Sequence, residues 1–150
     1  MRVGGHILFV LASAVIAGEG WVASPLQPSD IELTAVYCIG VLKNRLAMLQ
    51  EHSQPFTNLT DALRSDLERL GHFIGPRVGH LDTTHLAIAR RRANDDFMSW
   101  HVEAAECMQR CTNGGKSNSN TQRACWMTCS QTGAPFERMR ICSSLSWLPP

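Results

Sequence analysis

The chain has almost no net charge: 14 basic against 13 acidic residues leave +1 at pH 7. A field that weak does not gather polyanions, which argues against nucleic acid as a partner. No stretch of useful length alternates apolar and polar residues in the manner of a half-buried strand, so a sheet is not expected. Also missing are the Gly-x-Ser-x-Gly elbow, a phosphate-cradling glycine loop, the dinucleotide fingerprint and the His-Glu-x-x-His zinc pattern. Their absence removes the sequence grounds for the enzymes that depend on them. Cys-x-x-Cys, the usual spacing of a catalytic dithiol, does not occur either.

What is present is the composition of a chain that folds, with 44% hydrophobic and 18% charged residues. A length of 150 residues allows one modest domain once a removable N-terminus is subtracted. Arg2 in a short polar start, an apolar run from Ile7 to Ala17, and then Gly18, Glu19 and Gly20 have the layout of a secretory signal. Residues 1–20 are therefore read as a signal peptide, cut after Gly20, with Val15 and Ala17 allowing an earlier cut. Residues 21–150 are read as a single helical, disulfide-stabilised domain, secreted or periplasmic. The competing reading is a retained membrane anchor. Glu19 closes the run short of the roughly 20 apolar residues a spanning helix needs, so no stable span is expected after cleavage.

Beyond a Pro-punctuated connector from Ser24 to Pro28, Ser29-Asp30-Ile31-Glu32 has the form of a helix capping box. From Ile31 to Leu49, the residues Val36, Ile39, Leu42, Leu46 and Leu49 recur every three or four positions, and Pro55 ends this helix at the latest. A second, shorter helix is expected from Asn58 to Leu70, with Leu59, Leu63, Leu67 and Leu70 on one stripe. Asn58-Leu59-Thr60 also matches a glycosylation sequon, which matters only in a eukaryotic secretory pathway. Gly71, Gly75, Pro76 and Gly79 are expected to form a loop. The longest helix should start near Asp82 or Thr83 and reach Cys111, because Leu86, Ala89, Ala93, Phe97, Trp100, Ala104, Cys107 and Cys111 share one seam. A turn around Gly114-Gly115 follows, then a fourth helix carrying Cys125 and Cys129 that ends at Gly133 and Pro135, and a tail with Cys142 and Trp147. The expected fold is all-α: a small bundle of about four helices with a C-terminal disulfide-laced α-hairpin.

The most specific feature is a pair of Cys-x-x-x-Cys units, Cys107 with Cys111 and Cys125 with Cys129. Four residues is just over one helical turn, so each unit stacks its two sulfurs on one helix face. Exported thiols pair, and the count of 6 cysteines is even. Across an antiparallel hairpin, outer meets outer and inner meets inner, which gives Cys107 with Cys129 and Cys111 with Cys125. Cys38 and Cys142 are left for each other by elimination. The twin spacing resembles the small translocase chaperones of the mitochondrial intermembrane space and the plant α-hairpinin peptides, over Cys107 to Cys129 alone. The resemblance implies the laced hairpin and no function. The chaperones lack a secretory signal, and the peptides lack the long helical region that precedes the hairpin here. The rival readings for these cysteines are a structural zinc site, whose ligand spacing overlaps this one, and a redox-active pair. In an oxidising space disulfides form before metal capture.

Weaker candidates each have an ordinary explanation. His72, His80, His85 and His101 match no zinc spacing and read as solvated or capping residues. Arg90-Arg91-Arg92 with Asp95-Asp96 reads as a solvated helix face whose charges satisfy one another rather than as an anion patch. Phe97, Trp100 and Trp126 read as core packed over the disulfides rather than as a ligand groove. Glu103 and Glu106 are an unremarked pair of surface acids. No catalytic residue, metal ligand or cofactor is assigned. The leading expectation is a non-catalytic exported protein acting as an interaction, binding or inhibitory module, its protein or small-molecule partner unspecified. The alternatives are a thiol- or metal-dependent enzyme using the Cys-x-x-x-Cys units with His101, and a periplasmic stress or assembly factor that holds unfolded chains in its grooves.

Overall fold

The computed structural model describes residues 28–51, 57–113 and 119–149. The signal segment 1–20, the connector before Pro28, Pro55 and the Gly114-Gly115 turn lie outside the described residues. Helix α1 (Asp30–Gln50) starts at the capping box: the Glu32 amide donates to Ser29 Oγ at 3.3 Å, and the Ser29 amide donates to the Glu32 carboxylate at 2.8 Å. Two amides with no partner inside the helix are satisfied in this way. Ala35, Val36, Cys38, Val41 and Leu42 form the buried face of α1.

Helix α2 (Thr57–Val78) departs from expectation, since it runs on through Gly71, Gly75 and Pro76 where a loop was expected. Tertiary contacts hold the extension. Ile74 is buried against Val36, Leu81, Leu86 and Ala89, and Arg77 reaches the Glu32 carboxylate at 3.4 Å. Gly75, lacking a Cβ, removes the clash that normally expels the residue before a proline from helical geometry. Pro76 lies two residues from the helix end, where its missing N–H forfeits a single helical bond.

Helix α3 (Thr83–Asn113) is the spine of the molecule, packing against α1 and the C-terminal elements. The Asp82 carboxylate caps it by accepting the amides of Thr84 at 2.7 Å and His85 at 3.3 Å. Leu86, Ala89, Ala93, Phe97, Trp100 and Ala104 are buried along its seam, and Cys107 and Cys111 beyond them are half-buried. Where α1 crosses, a Cβ at Gly40 would lie 2.6 Å from the Ala93 Cβ. Glycine is what lets the two backbones approach this closely.

Helix α4 (Ser119–Ser130) returns beside the C-terminal half of α3. The expected tail is in fact structured: Gly133, at φ +98°, turns the chain into α5 (Ala134–Met139) and a 3-10 turn (Arg140–Ser143). Pro135 sits in the first turn of α5, where its missing N–H has no helical partner to lose. Met139 and Cys142 are fully buried, so this segment completes the core rather than trailing from it. Burial of a side chain the size of Leu42, Leu70 or Met139 stabilises by about 1.5–3 kcal/mol. The described residues form an all-α fold with no strand, and none of the described helices is long and apolar enough to cross a membrane.

Candidate functional site

The sulfurs come first, because they decide what chemistry is open. Cys107 is joined to Cys129 and Cys111 to Cys125, with Cα separations of 5.5 and 6.0 Å, lacing α3 to α4. Cys38 is joined to Cys142 at a Cα separation of 5.2 Å, which fastens the C-terminal segment onto α1. The two hairpin bridges touch, with Cys111 Sγ 3.5 Å from Cys129 Sγ. The sulfurs of Cys111, Cys125 and Cys129 all lie within 4.8 Å of one another. Bridged sulfurs carry no thiolate, which is the form that attacks an electrophile or binds zinc. His101, the side chain considered as their catalytic partner, is exposed and stacks on Phe97 with ring centroids 6.3 Å apart.

The three aromatic residues divide. Phe97 and Trp100 are buried, and the Trp100 indole N–H donates to the Ser130 carbonyl at 3.1 Å, tying α3 to the end of α4. Trp126 is 40% exposed and is not core. It lies at the edge of the α3–α4 seam, lining a shallow surface depression with Met108, Gln109 and Thr112 of α3.

The acidic pair also divides. Asp95 is exposed, whereas Asp96 is 6% exposed and joins three elements, which corrects its reading as part of a solvated face. Its carboxylate accepts the Tyr37 hydroxyl at 2.9 Å from α1 and Arg138 Nε at 2.9 Å from α5, with Arg92 Nε at 4.0 Å on its own helix. Burial pushes the Asp96 carboxyl up, but the hydrogen bonds from Arg138 and Tyr37 and the charges of Arg138 and Arg92 outweigh it and hold the pKa below its ordinary value. Tyr37 moves the other way: burial, and then its bond to Asp96, push the phenol well above its ordinary range. A phenol held in its neutral form is a poor base and a poor nucleophile. The sequence did carry a signal for Asp96. It stands three residues after Ala93 and four before Trp100, on the apolar seam of α3.

Beside this hub, α1, α3 and the C-terminal segment enclose a groove of 360 Å³. Its apolar surface comes from Leu33, Ala89, Ile88 and Ile141, the last two 60% and 46% exposed. Tyr37, His85, Arg92 and Arg138 supply most of its polar lining. The His85 Nδ1 lies 3.5 Å from the Asp82 carboxylate. Thr34, also in the lining, donates its hydroxyl to the Asp30 carbonyl at 2.7 Å. Both hydroxyls of the groove are thus committed to internal bonds, and its cations remain accessible at the rim. Such a surface sets apolar side chains beside guanidinium groups. No protein-family model, curated protein or solved structure matches the chain.

Proposed function

We propose that this is an exported, non-catalytic binding module that presents the groove between α1, α3 and the C-terminal segment to an amphipathic, acidic segment of another protein. The observation that carries the reading is the exposure of Ile88 and Ile141, both lining a groove that Arg92 and Arg138 also line. Large apolar side chains facing solvent together, rimmed by charge, mark interaction sites. The Cys38–Cys142 bridge fixes the segment that carries Arg138 and Ile141, so little ordering entropy is lost when a partner docks. Three disulfides suit an oxidising compartment, in keeping with a secreted or periplasmic destination and with the signal-like N-terminus.

The test is to place a photo-crosslinking amino acid at Ile88 in the native host, with exposed Arg64 on α2 as the control position. Crosslinks to one or a few defined proteins, absent from the control, support the reading. Crosslinks to many unrelated unfolded chains favour an assembly factor instead, and none above the control overturn it. A second reading, a thiol- or metal-dependent enzyme, draws on the three neighbouring sulfurs of Cys111, Cys125 and Cys129. It requires at least two free thiols or stoichiometric zinc in protein purified without reductant, and their absence eliminates it.

A further inference from the structure

On another face of the bundle, α1, α2 and α3 enclose a second groove of 530 Å³. Its floor is apolar: Val36 and Ile74 are 4% and 5% exposed, and Ile39 and Val78 are half-buried beside them. Among the described residues, none of the large exposed apolar side chains lines it, so its apolar surface comes from buried and half-buried residues. Gly71 opens the wall on the α2 side. A Cβ there would meet nothing within 4 Å, so neither packing nor a positive φ requires glycine at this position. Glycine inside a helix is destabilising relative to alanine. Its effect here is to leave a slot without a side-chain wall.

The polar residues of the slot have one sign. Lys43 and Arg90 line it together with Asn44 and Asn94, and no aspartate or glutamate does. Neither cation has a carboxylate partner among the described residues, unlike Arg92 and Arg138 in the first groove, which share Asp96. An apolar floor under unpaired cations and amide donors matches an apolar chain with an anionic head. We propose that this groove binds a single-chain anionic amphiphile of the fatty-acid class. The chain lies over Val36 and Ile74, and the carboxylate is held by Lys43 and Arg90.

The experiment is calorimetric titration of the disulfide-intact protein with laurate below its micelle concentration, beside dodecanol and dodecyltrimethylammonium. Expected is saturable binding of one laurate, about tenfold or more tighter than dodecanol, since a charge-assisted hydrogen bond distinguishes the two heads. Exchanging both Lys43→Gln and Arg90→Gln should bring laurate down to the level of dodecanol. Gly71→Leu, which projects into open space and favours helix, should leave the fold intact by circular dichroism and abolish binding of both chains. Ile88→Asp, in the first groove, should change nothing, so this proposal and the proposed function fail independently. The inference is overturned by the absence of saturable laurate binding, by equal affinity for the cationic amphiphile, or by full binding in a folded Gly71→Leu protein. Binding to anionic phospholipid vesicles without binding to free laurate overturns it in favour of a membrane surface.

Discussion

At the scale of single residues, Asp96 and Tyr37 set a pH window for stability. A carboxyl whose folded pKa is depressed contributes stability that is present above its ordinary value of 3.8 and is lost as pH falls through the folded value. A phenol whose folded pKa is raised contributes stability that is present below its ordinary value of 10.0 and is lost as pH rises beyond it. Urea unfolding followed across pH should therefore show a plateau between these limits. Asp96→Asn should cost about 2–4 kcal/mol at neutral pH, because Arg138 and Tyr37 keep their donors and lose the charge they serve, and it should flatten the acid limb. Tyr37→Phe should flatten the alkaline limb. Gly40 makes a steric prediction. Gly40→Ala should destabilise by about 1–3 kcal/mol through its clash with Ala93, and adding Ala93→Gly should recover part of the loss in thermal melts.

At the scale of elements, the capping box was legible because its two partners are three residues apart and need nothing else. Ser29→Ala should cost about 1 kcal/mol, measured by denaturant midpoint. The seam of α3 was legible for the same kind of reason: its spacing repeats from Leu86 to Cys111 without interruption. The extension of α2 was not legible. Gly71, Gly75 and Pro76 are local helix breakers, and the contacts that override them, Ile74 with Val36 and Arg77 with Glu32, join residues far apart in sequence. The C-terminal helix was missed because six residues carry too little periodicity to register, and Met139 and Cys142 are buried by partners on other helices. Trp126 was misplaced because which side of a helix is covered depends on neighbours that spacing alone does not name, whereas the place of Asp96 on the apolar seam of α3 could have been read from its spacing to Ala93 and Trp100.

At the scale of the whole molecule, helical class could be read from apolar periodicity and a laced α3–α4 pair from cysteine spacing, whereas the grooves could not. Each groove is formed by three segments distant in sequence, and its volume depends on how they cross. Removing the Cys38–Cys142 bond with Cys38→Ala and Cys142→Ala should cost about 4–5 kcal/mol in the chain-entropy account, since the bridge spans 104 residues, and it should lower Tm more than loss of the 14-residue Cys111–Cys125 bridge. If the C-terminal segment were fastened to α1 by packing alone, the two losses would be equal or reversed.

That long-range bridge also makes the domain a covalent ring. A protease that cuts once anywhere between Cys38 and Cys142 opens the ring without releasing a fragment, and the cleaved chain separates only after reduction. In an oxidising compartment, where reductants are scarce, the two pieces of a singly nicked molecule would stay joined through that bond.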